Sequence, residues 1–485
     1  MPGVPSSRGC DACRKQKKKC DQSKPSCSRC TRLRLDCIGS GQQRYKFKEQ
    51  KIVTRLKKEK STENSIVLPG TWISISPIPS NDESPVLCGL VSTLEVTDLR
   101  FDLTYYGGFL RDIPRRLGDN AALDSSVAAL ACAFPSVYTR RQSPEMLDKY
   151  VHALKTLRVC LNDPIIVYAS NTLCAIYLIE ICQSWIGRHD DHITCHGEII
   201  AHLLNAAPVE VWRDDFEVEL LVTVCAPVII ESFVNPKIRL DRFFSNMTKT
   251  YGESHGPYKP PKSNDLDASL ESIRLRNLVK IADYFRNPEL HRSQIASTYQ
   301  QLQTDSPRVR QRLSQTAYSI SKVQNPAQAY LAHKEHTSWQ AAYGLVNTLV
   351  LILGSILLIF DPYEIGLLED MTTFTGEVIQ LAKNTSQYRP LGSGYIPLCL
   401  VAAWAATCGT AEQAKVEGVL ADWQSDFEET RWMNMAVALK STYEDLRLRS
   451  SLSQLEISLD YCEEQNLNRA EQAHGIGTTG ACSVM

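Results

Sequence analysis

The sequence predicts a small cysteine-rich domain of two short helices and loops, followed by a large all-α domain. Six of the 17 cysteines lie within the first 37 residues. Beyond residue 90, apolar residues recur at steps of three and four, which is typical of amphipathic helices. Strand signals are sparse, and no Asn-Gly or Asp-Gly hairpin turn occurs. At 485 residues the chain also exceeds the usual single core.

The six N-terminal cysteines form two similar halves with the spacing C-x2-C-x6-C-x6-C-x2-C-x6-C. They are Cys10, Cys13, Cys20, Cys27, Cys30 and Cys37. Thiols this close together are metal ligands or disulfides, and the spacing favours metal because each C-x2-C pair can hold one ion from a tight turn. Two tetrahedral ions need eight ligands, which six thiolates supply if two of them bridge. Closed thiolate sites favour structural zinc, so we expect two zinc ions and no catalytic position.

Charge separates this N-terminal segment from the rest of the chain. Residues 1–60 hold 18 Lys/Arg and 5 Asp/Glu, a net charge of +13. The remaining residues carry a net charge of −14, so the overall value of −1 hides the contrast. A basic segment on an acidic body predicts a polyanionic partner for the basic segment alone.

The cysteine spacing, the basic residues between the second and third cysteines, and Pro25 resemble the fungal zinc binuclear cluster DNA-binding domain. The resemblance implies that the first and fourth cysteines, Cys10 and Cys27, bridge the two metals. It also implies that basic residues at the end of the first helix read a CGG-type triplet in the major groove. The family usually has Arg or Lys where this chain has Gln16, and Lys where it has Lys17, which makes Lys17 the expected base contact.

The expected DNA-binding residues fill the first six-residue gap between cysteines. They are Arg14, Lys15, Gln16, Lys17, Lys18 and Lys19. A lysine near guanine O6 and N7 reads a pattern that other base pairs lack, whereas the remaining basic side chains are expected to contact phosphates. A solvated face or a nuclear localisation signal is the alternative for such a run. Because six regularly spaced cysteines surround this basic run, a solvated face or a localisation signal is not expected to be its whole role.

Four regions are expected along the chain. Residues 1–41 form the zinc binuclear cluster domain, and residues 42–89 form a basic and then proline-containing linker. Residues 90–450 form the helical domain, and residues 451–485 form a partly disordered acidic-hydrophobic tail, typical of activation segments or of any amphipathic terminal helix. No heptad pattern of apolar residues continues through the linker, so a coiled-coil dimer is weakly supported. Monomer binding and dimerisation through the helical domain both stay open.

Three stretches carry the helical prediction for the body. One apolar stripe runs over residues 147–161 and ends at Asn162-Asp163-Pro164, a second runs over residues 123–134, and residues 171–185 are nearly all apolar. Residues 109–118 and 184–204 resemble the helical regulatory domain that follows the zinc cluster in many fungal factors. That resemblance implies a regulatory body and no particular mechanism.

Two features allow a membrane alternative. Residues 341–360 hold no charge and are long enough to span a bilayer, but Gly344 and Asn347 interrupt them, so a buried core helix is the preferred interpretation. The last four residues fit a prenylation motif at Cys482. One lipid chain anchors weakly, and prenylation is a minority hypothesis.

These observations predict a sequence-specific nuclear transcription factor of RNA polymerase II genes. Its partners would be double-stranded DNA and the transcription machinery, and it could also form a homodimer. No membrane association is expected. Resemblance alone suggests a metabolic or secondary-metabolite gene cluster as the target. We expect no enzyme, because no nucleophile elbow, phosphate loop, zinc-protease motif or dinucleotide fingerprint occurs. The alternatives are a membrane-associated or ligand-gated regulator, or an enzyme in the helical body with the zinc segment as a DNA anchor.

Overall fold

The chain divides into two compact units, Met1–Ser76 and Pro77–Met485. The structure is a computed structural model. It describes residues 9–35, 37, 83–186, 196–206, 212, 214–233, 235, 237–240, 242–243, 270–273, 275–407, 411–427 and 431–451. Most of the predicted linker, residues 42–82, and the predicted tail beyond residue 451 lie outside these residues.

Two five-residue helices form the described part of the first unit: α1 (Asp11–Lys15) and α2 (Ser28–Arg32). Each begins directly after the first cysteine of its half. The sulfur of Cys27 caps α2 by accepting a hydrogen bond from the backbone N–H of Cys30 at 3.4 Å. The only apolar cluster in this unit's described residues consists of cysteines with Ala12, so no ordinary hydrophobic core holds the two helices together.

The two halves of the first unit also share the turn that follows each helix. Lys17 and Arg34, which lie 17 residues apart, both adopt the left-handed conformation, with φ values of 50° and 49°. In each half, the next backbone N–H donates to the carbonyl of the second cysteine at 2.9 Å. The sequence repeat is therefore also a repeat of backbone conformation.

The second unit is built from α-helices, and its described residues contain no strand, as the sequence predicts. The helices are α3 (Glu83–Leu94), α4 (Ala121–Thr139), α5 (Pro144–Leu161), α6 (Ser170–Ile186), α7 (His196–Ala206), α8 (Asp215–Ser232), α9 (Leu275–Arg286), α10 (Pro288–Lys322), α11 (Pro326–Phe360), α12 (Ile365–Thr385), α13 (Ile396–Ala406), α14 (Ala411–Gln424) and α15 (432–451). Short 3-10 helices connect α3 to α4. Helix α3 runs across residue 89, where the sequence placed the end of the linker.

Helices α4, α5 and α6 pack against one another and contain the three apolar stretches predicted from the sequence. Helix α5 ends at Leu161, directly before Asn162-Asp163-Pro164, as predicted. Its buried face is centred on Tyr150, Ala153 and Leu157, whereas the stripe residues Leu147 and Leu154 are half-buried at its edge. Helix α5 contacts both α4 and α6, and Ala153 is fully buried.

Helix α11 is the central helix of the second unit and packs against α10, α12 and α13. Helices α4 and α11 are long and apolar enough to cross a membrane by length and composition, but 78% of the apolar window of α11 is buried inside the unit. The prediction of a core helix over residues 341–360 is confirmed by this burial. A Cβ at Gly344 would lie 2.9 Å from Cε2 of Tyr395, so this glycine permits the close approach of α13.

A buried ion pair attaches the 3-10 segment before α4 to α11. Lys334 on α11 donates to Asp102 at 2.7 Å, and the Asp102 side chain is 2% exposed. Asp102 also accepts hydrogen bonds from the Tyr330 hydroxyl at 2.8 Å and from the Thr104 backbone N–H at 2.9 Å. Burial raises the pKa of Asp102, but the bonds from Lys334 and Thr104 and the charge of Lys334 outweigh it, so its pKa is lowered overall.

Substitution Lys334→Met should destabilise the second unit by about 3 kcal/mol, because it leaves the buried carboxylate of Asp102 without its counter-ion. The denaturation midpoint in urea, followed by helical circular dichroism, measures the effect. Lys415→Met is the control, since its pair with Glu412 is 3.9 Å long and exposed on both sides, and such pairs contribute little. Equal midpoints for the two variants would show that the Asp102 pair adds no stability.

Candidate metal centre and nucleic-acid interface

The six N-terminal cysteines converge on one small cluster of sulfur atoms. Cys10, Cys13, Cys27 and Cys30 are buried, and Cys20 and Cys37 are half-buried. Cys10 Sγ lies 3.7 Å from Cys27 Sγ and 3.6 Å from Cys30 Sγ, and Cys13 Sγ lies 3.7 Å from Cys27 Sγ. Every cysteine in the cluster is free of a disulfide.

Two overlapping groups of four cysteines have all their sulfur atoms within 4.8 Å of one another. One group holds Cys10, Cys27, Cys30 and Cys37, and the other holds Cys10, Cys13, Cys20 and Cys27. Cys10 and Cys27 belong to both groups. These are the two residues that the family resemblance identified as bridging ligands.

The sulfur separations fit zinc better than disulfides. A tetrahedral zinc site with Zn–S bonds of about 2.3 Å places neighbouring sulfur atoms about 3.8 Å apart. A disulfide would bring two of them to about 2.0 Å. The observed 3.6 to 3.7 Å therefore matches the edge of a zinc–thiolate tetrahedron.

Backbone hydrogen bonds favour the thiolate form of both shared cysteines. The pKa of Cys10 is lowered chiefly by a hydrogen bond from the Cys13 backbone, and that of Cys27 by one from the Cys30 backbone. By contrast, burial raises the pKa of Cys13 to about 11. Thiolates are the metal-binding form, so these backbone hydrogen bonds favour metal binding by the two sulfur atoms that both groups share.

The loop between the two halves is held by Asp21. Its carboxylate accepts hydrogen bonds from the hydroxyl of Ser23 at 2.7 Å, from the hydroxyl of Ser28 and from the Ser28 backbone N–H at 3.2 Å. The side-chain bond from Ser28 is the largest of the effects that lower the pKa of Asp21 to about 2. This carboxylate fixes the start of α2 relative to the loop that contains Pro25.

The expected DNA-binding residues begin with the last two residues of α1, Arg14 and Lys15, and continue into the turn that follows it. Residues 15–19 are exposed, while the side chain of Arg14 lies outside the described residues. Lys17 occupies the left-handed turn, and the N–H of Lys18 donates to the carbonyl of Cys13 at 2.9 Å. The exposed basic turn is thus attached directly to a cysteine of the cluster.

Sequence reasoning missed the contact between Gln16 and Arg29. Arg29 Nη2 donates to Gln16 Oε1 at 2.6 Å, and Arg29 Nη1 lies 3.9 Å from Cys13 Sγ. The two residues stand 13 positions apart in different halves of the cysteine repeat. No pattern in the sequence links the two positions, so the contact could not be predicted.

Comparison with known families identifies the first unit. Residues 8–46 match the family model of the fungal Zn(2)-Cys(6) binuclear cluster domain. No curated protein and no solved structure gives a significant match to the chain. The matched domain binds two zinc ions, and the cysteine geometry is arranged to hold them.

Substitution of a shared cysteine should release more zinc than substitution of an unshared one. Cys10→Ser removes a ligand from both ions and should leave less than one zinc per chain, whereas Cys20→Ser should leave about one. Zinc content of the purified chain, measured by mass spectrometry of the metal, distinguishes the two.

Cys88→Ser is the matched control for this comparison, because Cys88 is an exposed cysteine of the second unit and should leave two zinc ions bound. Equal zinc loss in Cys10→Ser and Cys20→Ser would contradict the bridging assignment.

Proposed function

We propose that this chain, which carries a fungal Zn(2)-Cys(6) domain, is a sequence-specific regulator of RNA polymerase II genes. It would read a CGG-type triplet in the major groove. The domain makes the chain a DNA-binding transcription factor of the fungal type and implies a nuclear location. Family members are generally not enzymes. The observation that carries the proposal is the exposed, mostly basic run of residues 15–19, which is attached to the cysteine cluster by the hydrogen bond from Lys18 to Cys13.

Lys17 is the proposed base-reading residue. It is exposed, and its left-handed backbone is fixed between the end of α1 and the hydrogen bond from Lys18 to Cys13. An ammonium group donates only, which suits the acceptors O6 and N7 of guanine. Lys15, Lys18 and Lys19 would contact phosphates, together with Arg14.

The remaining parts of the proposal concern partners. The helical unit would regulate activity or recruit the transcription machinery, and the acidic-hydrophobic residues 451–485 are candidates for the recruiting segment. Binding as a monomer or as a homodimer is open to test. A metabolic or secondary-metabolite gene cluster is the proposed target, on the strength of the family resemblance alone.

Substitution Lys17→Ala in the zinc-loaded chain should reduce the preference for guanine at one position by about fivefold or more, because a donor to O6 and N7 is lost. Selection from a randomised duplex library, followed by binding measurements on single-base variants, gives this ratio. The control is Lys19→Ala, which removes the same charge from the same exposed run.

The control should weaken binding to all sequences alike and reduce the slope of log affinity against log salt by about one. If Lys17→Ala behaves in the same way as Lys19→Ala, Lys17 contacts phosphate and does not read a base.

The same selection from the duplex library also tests how many triplets the protein reads. One enriched triplet would be expected from a monomer, and two triplets at fixed spacing from a dimer, since half-site spacing follows the symmetry of the bound protein. Failure to enrich any sequence, with two zinc ions bound, would contradict sequence-specific binding and leave a nonspecific DNA anchor.

A further inference from the structure

We propose that Gln16 is a specificity-determining residue that presents only its amide NH2 group to DNA, and that Arg29 sets this orientation. The inference rests on the proposed function, because it assumes that the turn after α1 meets the major groove. It concerns a position at which the family resemblance supplies an Arg or Lys and therefore gives no role for this chain's residue.

Arg29 forms a bridge between the cysteine cluster and the reading turn. Its Nη1 lies 3.9 Å from Cys13 Sγ, and its Nη2 lies 2.6 Å from Gln16 Oε1. Arg29 is half-buried on α2, whereas Gln16 is exposed directly after α1. The backbone N–H of Gln16 donates to the carbonyl of Ala12 at 3.3 Å, so the residue is held at its main chain as well as at its side chain.

The chemistry of arginine decides which end of the Gln16 amide points outward. A guanidinium has five N–H donors and no acceptor, so the amide atom that faces Arg29 must be the carbonyl oxygen. The two ends of a free glutamine side chain are otherwise interchangeable in shape. Because Arg29 engages Oε1 in a charge-assisted hydrogen bond, the NH2 group is the end left for DNA.

This orientation changes what glutamine can recognise. The usual pairing of glutamine with adenine uses both ends of the amide, with Oε1 accepting from N6 and Nε2 donating to N7. Engagement of Oε1 by Arg29 weakens that pairing. The NH2 group suits the acceptors of guanine and thymine, and it opposes the N4 donor of cytosine. Gln16 should therefore disfavour cytosine at one position and give adenine no advantage over guanine or thymine there.

The experiment compares four zinc-loaded forms of the 485-residue chain: unchanged, Gln16→Met, Arg29→Met and Arg32→Met. Each is selected against the same randomised duplex library, and its zinc content is measured. The unchanged chain should disfavour cytosine at one position by about fivefold, and Gln16→Met should remove this discrimination. Arg29→Met should keep that discrimination and raise the relative affinity for adenine at the same position by about fivefold, because Oε1 is freed to accept from N6.

Arg32→Met is the matched control, since Arg32 lies exposed on the same helix and carries the same charge. It should weaken binding to all sequences and leave every base preference unchanged. If Arg29→Met gives the same uniform loss, or if Gln16→Met leaves the cytosine discrimination intact, the inference is wrong.

Two further results separate the possible failures. If the unchanged chain enriches no sequence, the proposed function fails before this inference is reached. If Arg29→Met releases zinc, Arg29→Gln replaces it, because glutamine keeps a polar donor beside the cysteine cluster but carries both a donor and an acceptor, and so imposes no single orientation on the Gln16 amide. With zinc retained, Arg29→Gln should raise the relative affinity for adenine, and an unchanged preference would overturn the positioning role of Arg29.

Discussion

The first unit depends on six cysteines whose sulfur atoms lie close enough together to hold two zinc ions. Six sulfur atoms fill eight tetrahedral positions only when two are counted twice, and Cys10 and Cys27 belong to both groups of four. Helices of five residues do not persist alone in water, and the apolar cluster in the described part of this unit consists of cysteines and Ala12. Metal coordination therefore takes the place of a hydrophobic core, and folding and zinc binding become one event.

In the second unit, apolar packing and buried ion pairs join distant parts of the chain. Its central helix α11 is buried among apolar neighbours, and buried carboxylates tie remote segments together. Asp102 pairs with Lys334, 232 residues later. Asp426 accepts hydrogen bonds from Arg389 at 2.6 Å and from Arg140 at 3.1 Å, which links the end of α4 to the segment after α14. Each carboxylate is nearly inaccessible, so losing a partner costs far more than losing an exposed ion pair.

The sequence was sufficient for features set by local spacing. The convergence of six cysteines on one cluster followed from their spacing, and the helices over residues 123–134 and 147–161 followed from apolar periodicity. The bridging pair needed the family resemblance, and the overlap of the two sulfur groups at Cys10 and Cys27 agrees with it. Contacts that depend on three-dimensional packing were not predicted. The pairs Gln16 with Arg29 and Asp102 with Lys334 join residues whose side chains carry no pattern that points to each other.

The repeated backbone of the first unit has a consequence for how the domain is oriented on a nucleic acid. In each half a five-residue helix is followed by a left-handed residue, and the next backbone N–H donates to the carbonyl of the second cysteine. The first turn carries lysines, whereas exposed leucines at positions 33 and 35 flank Arg34 in the second. The two halves therefore repeat in local backbone conformation but differ in side-chain chemistry, and we expect that chemistry to set how the domain is oriented on a nucleic acid.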